Sequence, residues 1–264
     1  MREFSLKLSD AVTSNSSDGH LLKWHINTGK ESLYIKSSSF NEFNICWLYE
    51  SYSELIVCRL LKELGNTNIV MYYPCKINLD NNTTIFGCYS KSFLKEDEKY
   101  ISIAHICKVG QLQDKYTFEG YTGYTALIND IQTKYGINIK EFLDEHIEID
   151  YITLNQDRHL GNLGIIYNSR TNTLRPAPIF DNGNSLFSTS DISQFMYDTT
   201  LDEYIKAKPF YYKHDMQIQL VANRKYRGKS INKTLSYVDS LQQYGLDKHR
   251  IEFIKTLLTN RINM

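Results

Sequence analysis

The sequence lacks the features that mark several common classes of protein. Its five cysteines are odd in number and none forms a CxxC pair, which argues against a disulfide framework and against a structural zinc site. No apolar run is long enough to span a bilayer, and the first ten residues contain no apolar core of signal-peptide length. The chain is therefore expected to fold in the cytosol, with its cysteines as small buried hydrophobic residues.

A net charge of one sign is also missing. Thirty basic and thirty acidic side chains give a formal net charge of zero over 264 residues. That balance provides no overall field to steer the protein toward nucleic acid or an anionic membrane, so we expect neither as a partner. Hydrophobic residues make up 42% and charged residues 23%, the proportions of a globular protein with a buried core.

The first third of the chain has the patterns of β-strands around one helix. Residues 21–36 alternate apolar and polar side chains on both sides of NTGKE, which predicts two strands joined by a glycine-containing turn. Residues 41–65 predict a helix that ends at Gly65. Two further strands are predicted over 69–79 and 83–94, with DNN as the turn between them.

From about residue 96 the predicted structure is mostly helical. Residues 139–154 predict a helix that runs directly into a polar loop, and two short strands are predicted at 163–167 and 174–180. Further helices are predicted near 201–207, 213–222 and 231–262. The whole pattern predicts an α+β protein with a strand-rich lobe over 1–95, a larger helical lobe over 96–264, and a ligand cleft at their junction.

The polar loop carries the residues that indicate a chemistry. Asp157, His159 and Asn162 lie in NQDRHLGN, and Asp181 lies in IFDNG after the two short strands. Carboxylate and amide oxygens suit Mg²⁺ or Mn²⁺, and Mg²⁺ commonly takes only one or two protein carboxylates beside substrate phosphates. A carboxylate that holds no metal can orient or deprotonate an attacking hydroxyl. One such base, one amide and one further carboxylate are the minimum set of a phosphoryl-transfer site.

The spacing of these residues agrees with that chemistry. Asp157 and Asn162 are five residues apart, as are the catalytic Asp and the metal-binding Asn of the protein-kinase loop HRDxxxxN. A kinase also needs a strand lysine for the nucleotide phosphates and a helix glutamate that positions this lysine. Lys36 ends the second predicted strand, and Glu54 lies on the apolar face of the next helix, where it needs a partner. Glu50 is the alternative partner of Lys36, although the facing of the helix favours Glu54.

The glycine-containing turn of the first hairpin is a second candidate for phosphate binding. Gly29 and Lys30 lie where backbone amides could cover the phosphates of a nucleotide. The sequence contains no complete GxGxxG loop, so it does not indicate how firmly this turn would bind the phosphates. The tetrapeptide GKES is not a Walker A motif, because Trp24 stands where that motif needs a glycine.

The segments NQDRHLGN and APIFDNG together resemble the HipA-type kinases, whose loop reads roughly NxDxHxxN before a segment of the form PxYD or PxFD. The pattern Asp-Arg-His-x-x-Asn is also shared with the phosphatidylinositol kinases. SELIVCRLLKELG resembles the HipA-family helix in which a glutamate leads an apolar run, and YSKSFL stands at the position of the inter-lobe hinge. The resemblance runs in order from about residue 20 to residue 187, without the extra N-terminal domain of HipA.

The resemblance implies a two-lobed, protein-kinase-like fold and a transferase that uses ATP with Mg²⁺ or Mn²⁺. Its residue roles are implied one by one: Asp157 as the catalytic base, Asn162 and Asp181 as metal ligands, Lys36 as the phosphate-binding lysine with Glu54 as its partner, and the backbone of 90–93, with Ser92 and Phe93, as the adenine hinge. His159 would either support Asp157 or contact the γ-phosphate. Asn182 replaces the phenylalanine of Asp-Phe-Gly, so a phenylalanine flip is not expected to control activity.

Three functions are compatible with these residues. The first is a serine/threonine protein kinase that modifies a protein substrate and itself, with Asn184–Asp202 as an activation segment. The second is a lipid or small-molecule alcohol kinase, against which the zero net charge counts slightly. The third is a nucleotide-binding signalling or toxin-like module with weak transfer, although no catalytic residue is missing. The chain also resembles bacterial kinases that are translocated into host cells, which adds export as an effector to the expectations.

Overall fold

The computed structural model describes residues 1–16, 19–41, 46–109, 120–192 and 206–264. The chain divides into two units, each assembled from separate segments. The first unit contains residues 1–93, 181–192 and 230–256, and the second contains residues 94–180, 193–229 and 257–264.

The described residues form eleven strands and seven α-helices. The strands are β1 (Arg2–Leu6), β2 (Val12–Ser16), β3 (Gly19–Asn27), β4 (Ser32–Ser37), β5 (Phe40–Asn41), β6 (Cys46–Trp47), β7 (Tyr72–Leu79), β8 (Thr84–Lys91), β9 (Glu98–Ser102), β10 (Gly164–Asn168) and β11 (Thr173–Pro176). The helices are α1 (Glu50–Glu63), α2 (Ile103–Val109), α3 (Gly120–Tyr135), α4 (Lys140–Thr153), α5 (His214–Gln217), α6 (Asn232–Ser240) and α7 (Lys248–Asn263). In this described part of the chain, no helix has the length and apolar character needed to cross a membrane.

The sheet of the first unit has the order β1-β7-β8-β4-β3-β5-β6, with β2 paired to β3. The β3–β4 hairpin and the β7–β8 pair are antiparallel, as the sequence predicts. Alternation places Trp24, Leu33 and Ile35 on the buried face, where each is at most 3% exposed. Strand β1 was not predicted: it is a five-residue segment that pairs in parallel with β7, far along the chain.

Helix α1 packs against β4, β7 and β8, and it is shorter than the sequence predicts. The predicted helix over 41–65 begins only at Glu50, because the backbone before it is bonded elsewhere. The Leu48 N–H donates to the carbonyl of Ser39 at 2.8 Å, and the Tyr49 N–H donates to the carbonyl of Ser188 at 3.0 Å. The segments β5 and β6 occupy part of the predicted helix, and residues 42–45 lie outside the described residues.

The predicted helix over 231–262 is also corrected. It is divided into α6, a 3-10 turn over Leu241–Tyr244, and α7, because Gly245 takes a left-handed φ of 97° that an α-helix cannot contain. The start of α6 is held by the carboxylate of Glu63, which accepts the N–H groups of Lys233 at 2.9 Å and Thr234 at 2.7 Å. These are donors that have no partner inside the helix.

The second unit contains an antiparallel sheet of order β11-β10-β9. Strand β9 corrects the prediction of a mostly helical chain after residue 96. Its residues are too few to show alternation, and its pairing partner β10 lies more than 60 residues further along the chain. Gly164 begins β10 beside β9, and a Cβ at this position would lie 2.4 Å from the Tyr100 ring, so a side chain there would displace the ring.

The helical predictions around the second unit have mixed outcomes. The helix predicted over 139–154 is confirmed as α4. The helix predicted over 213–222 is only the short α5, followed by a 3-10 turn. Of the helix predicted over 201–207, residues 201–205 lie outside the described residues, and Lys206 forms a β-bridge with Lys213 instead.

The α+β class is thus confirmed, whereas the two lobes over 1–95 and 96–264 stay a prediction. The cysteines whose side chains are described, Cys58, Cys75, Cys88 and Cys107, are free and buried. Burial raises the pKa of the Cys58 and Cys75 thiols to about 12. This agrees with the expected role of small core residues.

Helix α4 contains a buried histidine. His146 is 1% exposed, and its Nδ1 lies 2.7 Å from the carbonyl oxygen of Phe142. Burial, and to a smaller extent the nearby cation of Arg158, lower the pKa of His146 to about 3. At a pH between about 3 and the ordinary pKa of 6.5, His146 therefore binds a proton in the unfolded chain but not in the folded chain.

We predict that His146 makes the protein less stable as the pH falls below about 6.5. The group should remove about 2 kcal/mol of unfolding free energy between pH 6.5 and pH 5, because each unit corresponds to about 1.4 kcal/mol. Urea unfolding at both pH values should show a clearly smaller decrease for His146→Gln than for the wild type. Equal decreases in the two proteins would contradict the prediction.

Candidate active site

Three of the residues predicted from the sequence meet in the first unit. The Nζ of Lys36, at the end of β4, lies 2.6 Å from Oε1 of Glu54 on α1 and 2.7 Å from Oδ1 of Asp181. The structure therefore pairs Lys36 with Glu54. Glu50, the alternative partner, uses its Oε2 to accept the N–H of Ser39 at 3.2 Å. The contact between Lys36 and Asp181 was not predicted from the sequence.

Burial makes these charges depend on one another. The side chain of Glu54 is 2% exposed and that of Lys36 is 13% exposed. Burial alone would lower the pKa of Lys36, but the carboxylates of Asp181 and Glu54 outweigh it and hold the pKa well above its usual value. Lys36 is therefore a fixed cation. Burial raises the pKa of the Tyr72 hydroxyl, which lies 3.5 Å from Nζ of Lys36.

The second carboxylate oxygen of Glu54 ties the Asp-Asn-Gly segment to helix α1. Its Oε2 accepts the N–H of Asn182 at 2.9 Å. At the next residue, Gly183, a Cβ would lie 3.3 Å from Cβ of Glu50, so a larger side chain would crowd the helix. Asp181 itself has a φ of 57°, the left-handed conformation that Asp and Asn adopt more readily than most residues.

The remaining candidates of the first unit are Gly29, Lys30, Ser92 and Phe93. The hydrogen bonds of Gly29 and Ser92 described here are made to residues other than Lys36, Glu54 and Asp181. Gly29 has a φ of 76°, and its N–H donates to the side chain of Asn27 at 2.9 Å, while Lys30 is exposed. This amide is thus satisfied inside the turn. Ser92 follows β8, and its N–H donates to the carbonyl of Ser32 at 2.8 Å, with Phe93 next in the chain. The nucleotide roles of these four residues stay predictions.

The polar loop of the second unit holds the other three predicted residues together. The chain leaves α4 through Leu154, which has a left-handed φ of 53°. Asn162 donates its side-chain Nδ2 to the carbonyl of Asp157 at 3.2 Å. Nε2 of His159 lies 3.8 Å from Oδ2 of Asp157, and Nδ1 of His159 accepts the N–H of Gly161 at 3.1 Å. The carboxylate of Asp157 is 44% exposed.

A buried arginine that the sequence analysis did not single out supports this loop. The guanidinium of Arg158 binds the Asp150 carboxylate of α4 through Nε and Nη2, both at 2.9 Å. Its Nη1 donates to the carbonyl of Phe180, the residue before Asp181, at 2.8 Å. Both Arg158 and Asp150 are 1% exposed. Arg158 is the arginine of the Asp-Arg-His-x-x-Asn pattern, but its pairing with Asp150 across the helix end is not part of that pattern.

A lysine is the second residue that sequence reasoning missed. Nζ of Lys208 lies 2.8 Å from Oδ1 of Asp157. Lys208 belongs to no motif and is 51 residues away along the chain, so no sequence pattern predicted this contact.

Asp181 in the first unit and Asn162 in the second each carry oxygen atoms of the kind that bind hard divalent cations. Asp181 offers carboxylate oxygens, and Asn162 has its amide nitrogen engaged, which leaves its amide oxygen as the atom that can bind a cation. In the described ranges, no cluster of three or more His, Cys, Asp or Glu residues could hold a metal ion. A cation at these residues would therefore depend on oxygens of substrate and water, which is the usual coordination of Mg²⁺ in nucleotide sites.

A cavity of about 900 Å³ in the second unit lies elsewhere. Its walls come from β9, α2, β10, β11 and the end of α3, and none of the predicted site residues lines it.

The fold is that of a kinase-like protein, as a comparison with solved structures shows. It is similar to the Helicobacter pylori proinflammatory kinase CtkA, with a TM-score of 0.69 and 17% identity over 97% of this chain and 94% of that one. At this level of identity the likeness shows the fold alone.

Two further structures are similar more weakly. Hydra Fam20 with sugar has a TM-score of 0.49 and 11% identity over 96% of this chain and 83% of that one. The Golgi casein kinase has a TM-score of 0.45 and 11% identity over 96% and 70% of the two chains. Neither likeness is strong enough to support an argument. No protein-family profile and no curated protein sequence matches the chain, so the resemblance to HipA-type kinases rests on the motifs.

We predict that Lys36 and Glu54 are strongly coupled in stability. Glu54→Gln should lower the unfolding free energy by about 2 kcal/mol, because Lys36 loses one of its two charged partners in a buried setting. In the double variant with Lys36→Met, the loss should be smaller than the sum of the single losses. Urea unfolding of the four proteins measures this coupling.

The exposed pair Lys76–Glu3, at 3.7 Å, provides the matched control for this cycle. Lys76→Met and Glu3→Gln should be nearly additive, because solvent screens exposed ion pairs. A coupling between Lys36 and Glu54 as small as that of the control pair would contradict the prediction.

Proposed function

We propose that the protein is an ATP- and Mg²⁺-dependent serine/threonine protein kinase. The observation that carries this proposal is the buried contact of Lys36 with both Glu54 and Asp181, within 2.7 Å of each. A strand lysine positioned by a helix glutamate, beside the Asp that binds metal, is the nucleotide-binding arrangement of protein kinases. The fold likeness to the kinase CtkA supports the same class of reaction.

Lys36 would bind the nucleotide phosphates. It carries one positive charge against the two carboxylates of Glu54 and Asp181, so the cluster holds one net negative charge. A divalent cation at Asp181 and Asn162 would reverse this sign and add electrostatic stabilisation of the phosphates. Glu54 would keep Lys36 in place, because both carboxylate oxygens of Glu54 are bonded, one to Lys36 and one to the Asn182 N–H.

Asp157 would act as the base. Its carboxylate takes the proton of the substrate hydroxyl as the hydroxyl oxygen bonds to the γ-phosphorus of ATP. The bond from that phosphorus to the bridging oxygen breaks, and ADP leaves with the electron pair. Phosphoryl transfer of this kind needs mainly positioning and charge neutralisation, which a loop fixed by Arg158 supports.

We predict phosphate transfer from labelled ATP with Mg²⁺, both to the protein itself and to a generic basic protein. Asp157→Ala and Asp181→Asn should each lower the rate by about 100-fold or more, because they remove the base and a metal ligand. Asp239→Asn, a change at an exposed carboxylate that pairs with Lys255, serves as the folded control and should keep wild-type activity.

Different results would point to different functions. Transfer to lipid vesicles or to a small alcohol, with none to protein, would replace the protein-kinase proposal by a lipid or small-molecule kinase. ATP binding without transfer by the wild type would indicate a signalling module, and no ATP binding would refute the kinase proposal altogether.

We further predict autophosphorylation between Asn184 and Asp202, which contains several Ser and Thr residues. Residues 193–202 of this region lie outside the described residues. Mass spectrometry of wild-type protein incubated with ATP should find phosphate on this segment, and Asp157→Ala protein should carry none. Active protein without any modification there would contradict this prediction.

A further inference from the structure

Among the described residues, Lys208 forms the shortest ion pair with the proposed base. Its Nζ contacts Oδ1 of Asp157 at 2.8 Å, whereas Nε2 of His159 lies 3.8 Å from the other carboxylate oxygen. The ring of His159 already uses Nδ1 to accept the Gly161 N–H. Lys208 is therefore the cation that is paired with Asp157, and neither the motifs nor the fold comparison assigns it a role.

The loop that carries Lys208 is held by a buried glutamine. Gln217, at the end of α5, is 1% exposed. Its Nε2 donates to the carbonyl of Lys208 at 2.7 Å, and its Oε1 accepts the N–H groups of Phe210 at 3.0 Å and Tyr211 at 3.2 Å. Phe210 is itself buried and packs edge-on against Tyr124. The main chain of Lys208 is thus fixed from within the second unit.

Stability does not account for the Lys208 contact. The side chains of Lys208 and Asp157 are 46% and 44% exposed, and ion pairs in such positions contribute little to folding. A fixed main chain with an exposed, charged side chain is instead the arrangement of a group that meets a ligand. A hydroxyl that hydrogen-bonds Oδ1 of Asp157 would lie within about 6 Å of the ammonium group.

We propose that Lys208 is a further catalytic residue, which contacts the transferred phosphoryl group and holds the Asp157 carboxylate toward the substrate hydroxyl. This inference rests on the proposed kinase function. In the proposed step Asp157 alone accepts the proton of the hydroxyl, and Lys208 contributes through its charge. Its ammonium group stabilises the negative charge on the phosphoryl oxygens, a contribution that is larger in the transition state than in the bound substrate.

The test compares Lys208→Met, Lys208→Arg and Lys213→Met with the wild type in steady-state transfer from ATP to a basic protein. Lys213 is an exposed lysine of the same loop and serves as the matched control. Lys208→Met should lower kcat by about 100-fold and change KM for ATP by less than about 3-fold, because the interaction belongs to the transition state. Its melting temperature should equal that of the wild type.

The conservative variant separates charge from structure. Lys208→Arg should recover at least about a tenth of the wild-type kcat, because it keeps the positive charge, and Lys213→Met should match the wild type. Wild-type kcat in Lys208→Met would overturn the role of Lys208 and leave the kinase function intact. A folded Lys208→Arg as inactive as Lys208→Met would also overturn it. No transfer by the wild type would refute the kinase function and the role of Lys208 together.

Discussion

The buried guanidinium of Arg158 is the contact on which the polar loop depends. An arginine this far from solvent is costly unless its donors are bonded, and here it binds the Asp150 carboxylate through two nitrogens and the Phe180 carbonyl through a third. The first acceptor belongs to α4 and the second to the main chain just before Asp181. A residue that takes no part in the proposed chemistry thus fixes the loop between them, which carries Asp157 and Asn162.

The candidate site residues form two kinds of ion pair, which differ in burial. The pair of Lys36 and Glu54 is buried. Each partner is also held by a further contact, Glu54 by the N–H of Asn182 and Lys36 by the carboxylate of Asp181. The pair of Lys208 and Asp157 is half exposed. A buried pair keeps its partner because separation leaves an unsolvated charge, whereas an exposed pair exchanges partners at little cost. The first arrangement therefore suits a permanent scaffold, and the second suits groups that must turn to a substrate.

The sequence predicted what local patterns encode. The first hairpin, α4 and the β10–β11 pair follow from alternation and helical periodicity over neighbouring residues. The parallel pairing of β1 with β7 and the start of α1 depend on partners far along the chain, which no local pattern contains. In the candidate site, motif spacing and helix facing indicated Lys36 and Glu54, but Lys208 and Arg158 became visible only from contacts across the fold.

The left-handed backbone of Asp181 restricts this position before any chemistry is considered. A residue with a φ of 57° is tolerated as Gly, Asn or Asp, while other side chains strain the backbone by about 1 to 2 kcal/mol. A relative of this chain that had lost the proposed metal-binding acid would therefore be expected to carry Asn or Gly there. Alanine at this position would mix a folding defect with a loss of charge, and asparagine would isolate the charge.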